Sequence, residues 1–250
     1  MRSRAPFFAF FPALFAAGCI YAPIDLGFQD IGKVQEVTLV DSERKEKILL
    51  LPIDGEISDV ADRGNDLFGT EESTVAHVRD VLELAEKDDN VKAILLRINS
   101  PGGGVTASDV IYRELSEWKR KEGKPIVALM MDVAASGGYY VAQAADRIVA
   151  HPTCVTGSIG VIAFLPNISG LEQKIGVEVN VVKSGRMKDM GNPFRPFEED
   201  ERRLFQKLID DMHARFVDVV ADGRKRAGLG RAQVLALADG RVFTAEDAKK

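Results

Sequence analysis

From Ile48 onward, apolar and polar positions fall into a repeating alternation. The run ILLLPIDGEI (48–57) predicts a buried strand that opens into a polar loop. Val75, Val78, Leu82 and Ala85 then recur at helical spacing. KAILLRIN (92–99) predicts a second strand, ended by SPGGG, and Ile111, Leu115 and Trp118 mark the next helix. Thr106 and Asp109 have the spacing of a capping box at the start of that helix. PIVALMM (125–131) reads as a third strand, and a helix follows it from about Ser136. RIVAHP and GSIGVIA predict further strands, and a short helix near Leu171 leads into VEVNVVKSG. Glu198 to about Arg226 reads as one long amphipathic helix, with Phe205, Ile209, Met212, Phe216 and Val219 on one face. Strands that alternate with helices predict an α/β fold with parallel pairing.

The two ends of the chain break this rhythm. MRSRAPFFAFFPALFAAGC carries Arg2 and Arg4, then an apolar stretch, then small residues up to Cys19. That is the layout of a secretory signal peptide. A cysteine directly after AAG resembles the lipobox of bacterial lipoproteins, with Ala16 where Leu is usual. Residues 1–18 are accordingly expected to be a signal peptide, with lipid on Cys19. The competing reading is an uncleaved anchor, and either one exports the body of the protein. Residues 19–47 are mixed and polar, and read as a tether to a domain that spans 48–250. At the other end, Thr244 and Asp247 look like a capping box only one turn before Lys250, as though the sequence were cut short.

Composition narrows the function. With 250 residues, 46% apolar and 28% charged, the chain is an ordinary globular protein with room for one sizeable core. A net charge of −5 gives no basic footprint for nucleic acid. Cys19 and Cys154 make no disulfide framework, and no Cys/His cluster has metal-ligand spacing, so no metal or cofactor is expected.

Three segments carry candidate chemistry. In DVAASGGYYVAQAAD (132–146), Ser136 stands at a strand-to-helix turn. Its hydroxyl fits a helix N-cap, and it equally fits a nucleophile beside backbone N–H groups able to hold an oxyanion. NSPGGG (99–104) is either a plain tight turn or a close backbone approach that aims the Gly103 N–H at a substrate carbonyl. TGSIGV together with VVKSGRMKDMGNP offers Ser158, Lys183 and Lys188. A lysine serves as general base for a serine when burial keeps it neutral, and these residues alone do not choose between Lys183 and Lys188. His151 is a further possible base that nothing specifies. Cys154 lies in a strand-loop segment and is expected to take no part in catalysis.

In this order, INSPGGGV, ASGGYY, TGSIGVI and KSGRMKDMGNP resemble the signal peptide peptidase (SppA, protease IV) family of serine proteases, from Ile48 to Lys250. The resemblance implies the ClpP/crotonase fold, a spiral of ββα units, and a Ser–Lys dyad. By position it makes Ser136 the nucleophile and Lys188 the general base. Ser158 would orient the lysine amine, and Gly103 and Gly137 would supply oxyanion N–H groups. It further implies an exported, membrane-tethered endopeptidase on the periplasmic side of the membrane. Such an enzyme cuts apolar peptides such as signal-peptide remnants and assembles as a homo-oligomeric ring. Family members continue beyond GRVFT, and short members usually carry a transmembrane amino terminus. The same fold hosts acyl-CoA hydratases and isomerases. The export signal and the Ser136/Lys188 pair argue against that chemistry, and intact Ser136, Lys188 and Ser158 argue against a catalytically silent scaffold lipoprotein.

Overall fold

A computed structural model describes residues 34–61 and 73–250. The signal segment, Cys19 and most of the tether lie outside the described residues. The core is a six-stranded sheet made of β1 (Lys47–Ile57), β2 (Val91–Gly103), β3 (Ile126–Ala135), β4 (Arg147–Ala150), β5 (Val155–Gly157) and β6 (Val242–Thr244). The order runs β1-β2-β3-β5-β6, with β4 also paired to β3. All pairings are parallel except the antiparallel β5–β6 pair. The intervening helices are α1 (Thr74–Glu86), α2 (Val105–Glu122) and α3 (Gly137–Ala142). This is the expected α/β alternation. The apolar positions that predicted each element form the core: Leu51 and Ile53 of β1, Val78 of α1, Leu96 and Ile98 of β2, and Ile111, Leu115 and Trp118 of α2 are all buried.

Three local expectations need correction. The α2 cap is Gly104 without a side-chain bond, and Thr106 and Asp109 form no capping box. Asp109 is engaged elsewhere: it accepts from Tyr140 at 2.5 Å, from Arg113 at 2.7 Å and from Arg215 at 2.9 Å. GSIGVIA is not a strand, because β5 ends at Gly157 and Ser158 turns into the left-handed region with φ 52°. That departs from the extended backbone of a strand, and the sheet pairing ends there. In contrast, β2 runs four residues past Asn99: after a one-residue register shift between Asp54 and Glu56, Gly102 and Gly103 pair with Glu56 and Ile57.

Beyond β5 the chain forms α4 (Ser169–Ile175), a single 3-10 turn (Arg186–Asp189), α5 (Glu199–Arg224), a second 3-10 turn (Lys225–Ala227), α6 (Arg231–Leu237) and α7 (Ala245–Lys249). The α5 stripe is fully buried only in its second half. There Phe216, Val217, Val219 and Val220 pack with Tyr140, Ile159 and Val234 in a second core cluster. Toward its start, Leu204, Leu208 and Met212 are exposed, and so are Phe164 and Val182 in the preceding segment. Thr244 does cap α7, accepting from the Asp247 N–H at 3.2 Å. Among the described residues, no helix is long and apolar enough to cross a membrane.

Candidate active site

The parallel strands deliver their carboxyl ends to one place. Ser136 follows β3 directly, with φ 50° and ψ −121°, a conformation that L-residues rarely adopt. Its backbone N–H donates to the Gly157 carbonyl at 2.9 Å, and its carbonyl accepts the first bond of α3 from Tyr140 at 2.9 Å. The serine thus occupies the cap position of α3, yet its hydroxyl makes no capping hydrogen bond. The capping role is therefore not what the side chain does. The first N–H groups of α3, beginning with Gly137, precede that first helical bond and have no partner within the helix.

Close packing of glycine backbone surrounds this elbow. A Cβ on Gly102 would lie 2.8 Å from the Ser136 Cβ, and one on Gly103 would lie 2.7 Å from the Ile57 nitrogen. A Cβ on Gly137 would press into the Ser108 hydroxyl and lie 3.3 Å from the Gly103 nitrogen. Gly103, Ser136 and Gly137 line one small pocket, closed on its other sides by Val105, Tyr140, Val161, Met212 and Phe216. A serine hydroxyl beside two backbone segments in contact offers a nucleophile and candidate oxyanion donors, two of the parts an acyl-transfer site needs.

Ser158 stands beside this group. Ala135 pairs with Gly157, so Ser136 and Ser158 are the next residues out on adjacent strands. Lys188 is placed elsewhere, on the exposed 3-10 turn, and it does not line the Ser136 pocket. No described residue pairs with its ammonium. Lys183, the other lysine of the motif, is committed: its Nζ donates to Asp189 at 2.6 Å and to the Arg186 carbonyl at 3.1 Å. His151 is remote along the sheet. Its N–H bonds the Met130 carbonyl, six residues before Ser136, and its Nδ1 meets the Thr153 hydroxyl at 2.8 Å. At a strand rise of ~3.3 Å per residue, that offset is about 20 Å. Cys154 is buried, and burial pushes its thiol pKa up, away from nucleophilic use. No group of described His, Cys, Asp or Glu residues has the arrangement of a metal site.

Sequence reading missed the ties behind the pocket. Tyr140 packs against Phe216 with ring centroids 4.9 Å apart and planes tilted by 49°, and meets Tyr112 edge-on at 5.6 Å. Through Asp109, its hydroxyl links α2, α3 and α5. Burial and the Asp109 carboxylate both push the Tyr140 phenol upward, so it stays protonated as the donor. The YY that follows SGG was the available signal, but its partner Arg215 is far away in sequence.

Comparison with known proteins gives a consistent result. The profile of peptidase family S49 matches residues 118–250, and the Clp protease profile matches residues 66–155. An Enterococcus faecium protein, provisionally named signal peptide peptidase SppA, is 36% identical over 88% of this chain and 62% of its own length. Protease 4 of Haemophilus influenzae is 37% identical over 78% of this chain and 29% of its own. This chain spans about two thirds or less of the curated relatives it matches. A point mutant of ClpP1 from Listeria monocytogenes superposes with a TM-score of 0.51 at 18% identity, covering 80% of this chain and 85% of that one. That likeness fixes the fold as ClpP/crotonase-like.

Proposed function

The chain belongs to peptidase family S49, and on that premise we propose that it is a serine endopeptidase using a Ser136–Lys188 dyad. One observation carries the reading: Ser136 is held in a strained turn at the carboxyl end of β3, its hydroxyl unused for capping, in the pocket that Gly103 and Gly137 also line. Strain at a non-glycine residue costs about 1–3 kcal/mol and persists where the surroundings enforce it, typically at functional sites. In the proposed reaction the neutral Lys188 amine takes the Ser136 proton as Oγ adds to the scissile carbonyl. The Gly103 and Gly137 N–H groups hold the oxyanion. The ammonium then returns the proton to the leaving amine, and water hydrolyses the acyl-enzyme by the same route. Ser158, one position out on the neighbouring strand, orients the amine.

Lys188 rather than Lys183 is assigned as base because Lys183 is paired with Asp189, whereas no described group holds Lys188. In this reading Lys188 reaches Ser136 when substrate binds or copies of the chain assemble, its turn moving together with the start of α5. The apolar wall of Val105, Val161, Met212 and Phe216 favours apolar side chains, in keeping with signal-peptide remnants as substrates. The exposed apolar residues of the 160–182 segment and of early α5 support assembly into a homo-oligomeric ring. The amino-terminal sequence supports tethering outside the cytoplasm, by lipid on Cys19.

Reaction of the folded protein with a serine-directed fluorophosphonate, read by peptide mass, tests the reading. An adduct on Ser136 is expected. No adduct, or one on another residue, would remove Ser136 as nucleophile and return the chain to the scaffold or acyl-CoA readings.

A further inference from the structure

Lys188 sits in a segment that leaves the core, so something must hold its turn. The residue after it, Asp189, is gripped by Arg195. The Arg195 Nε donates to Asp189 Oδ2 at 3.0 Å, and Nη2 reaches both Oδ1 and the Asp189 backbone carbonyl at 3.1 Å. The other edge of the same guanidinium holds Glu201 in the first turn of α5. There Nη1 donates to Oε2 at 3.1 Å, and Nη2 pairs with Oε1. Nη1 also donates to the Pro196 carbonyl at 3.2 Å, so every donor edge of the fork is in use. Glu201 is only 1% exposed, and its Oε2 additionally accepts the Glu198 N–H at 3.2 Å. A carboxylate so deep in a segment of exposed residues, matched by a planar fork, is an anchor point.

The charges around Lys188 are sorted in a way that matters for its chemistry. Asp189 takes Arg195 and Lys183, Glu198 and Asp200 take Arg186 at 3.1 Å each, and Glu201 takes Arg195. These four carboxylates are thus spent on other cations. Had Asp189 been left to pair with Lys188, it would favour the ammonium, which is useless as a base.

We infer that the Asp189–Arg195–Glu201 clamp is a positioning device for the general base: it fastens the Lys188 turn to α5 and keeps the neighbouring carboxylate off the lysine amine. The inference rests on the reading of Lys188 as base. Arg195, Asp189 and Glu201 touch no reacting atom, so they are positioning residues and act through Lys188.

The test compares three variants of the full chain against a peptide substrate, with melting temperature measured in parallel. Lys188→Ala checks the underlying reading. R195M/E201L removes the clamp while replacing a buried ion pair with apolar groups of similar size, a change that need not destabilise. It therefore separates positioning from folding, which Arg195→Met alone would confuse by stranding a buried carboxylate. Arg195→Lys keeps one charged contact. We expect Lys188→Ala to be inactive. R195M/E201L should keep its melting temperature and its KM while kcat falls about 10²-fold, the scale set by misplacing a catalytic group by ~1 Å. Arg195→Lys should fall in between. An inactive Lys188→Ala together with wild-type kcat in R195M/E201L overturns the clamp alone. An active Lys188→Ala overturns the dyad and the clamp with it. If the double variant fails to fold, Arg195→Lys decides: unchanged kcat in a folded Arg195→Lys overturns the clamp, and a selective kcat loss upholds it.

Discussion

Ser136 and Ser158 leave paired rungs of adjacent parallel strands, each with positive φ. Ala135 stands opposite Gly157, and the next residue on each strand is a serine with φ 50° or 52°. The Ser136 N–H donates back across the pair to the Gly157 carbonyl at 2.9 Å, and the Ser158 N–H donates to the Arg241 carbonyl at 2.8 Å. Two non-glycine residues in left-handed backbone, side by side, point to hydroxyls kept there for use. Glycine in either place relieves the strain, less ~0.5–1 kcal/mol of extra chain entropy in the unfolded state. We expect Ser136→Gly and Ser136→Ala to be equally inactive, with the glycine variant about 1 kcal/mol more stable. Ser158→Gly and Ser158→Ala should likewise share one partial loss of activity while differing in melting temperature. Equal stabilities within each pair would show that the turns are unstrained.

Gly103 and Gly137 differ in how they forbid a side chain. At Gly103 the obstacle is the backbone of Ile57, which cannot move without breaking the β1–β2 register. Gly103→Ala should cost about 3 kcal/mol or more, the upper end for overpacking, so its loss of activity will not by itself report on the oxyanion. At Gly137 the obstacle is the Ser108 hydroxyl, the end of a small side chain that donates to the Gly104 carbonyl at 2.9 Å. Gly137→Ala should cost about 1–3 kcal/mol. Adding Ser108→Ala in the same chain should recover most of that in a urea melt. No recovery would mean that the clash lies elsewhere.

Cys154 is buried, and burial, with the Asp132 carboxylate adding to it, holds its thiol in the unreactive protonated form. Cys154→Ala should leave kcat/KM within a few-fold. Iodoacetamide, followed by peptide mass, should modify Cys154 only as fast as the protein unfolds. Rapid modification in the native state, or an inactive but folded Cys154→Ala, would reassign the nucleophile.

Among the carboxylates held below their usual range in the folded chain, Asp109, Asp189 and Glu201 tie separate elements together. Burial alone would raise Asp109, but hydrogen bonds from Tyr140, Arg113 and Arg215 outweigh it. Arg195 and then Lys183 depress Asp189, and Arg195 depresses Glu201 against its burial. A depressed folded pKa means that the stabilisation is complete above the unfolded value of ~4 and is lost as pH falls through the folded value. The melting temperature should therefore be flat above about pH 5 and drop below about pH 4. R195M/E201L should drop less steeply with acid. An identical acid slope in that variant would show that the clamp carboxylates titrate normally.

Much of this was readable in the sequence because it is local. Strand β3 into SGGYY, and β2 into SPGGG, each combine an apolar run with residues suited to one kind of turn. The α5 stripe announced its helix in the same way. What was not legible is either nonlocal or conformational. Arg215 meets Asp109 across 106 residues, a pairing that no window reveals, and so Asp109 looked like a cap for its own helix. GSIGVIA has the composition of a strand, but the sheet needs only Val155–Gly157, and Ser158 turns away. The exposure of Met212 was hidden because a stripe shows which face is apolar and not how far along it a partner extends.

The dyad is tested most directly by the activity of Lys188→Arg. An ammonium cannot accept the Ser136 proton, and arginine keeps the charge and most of the length while staying protonated at any working pH. With folding and assembly confirmed, kcat/KM for a peptide substrate should be as low in Lys188→Arg as in Lys188→Ala. Wild-type kcat/KM should rise toward basic pH as its base loses a proton. Substantial hydrolysis by the arginine variant would contradict a base at Lys188.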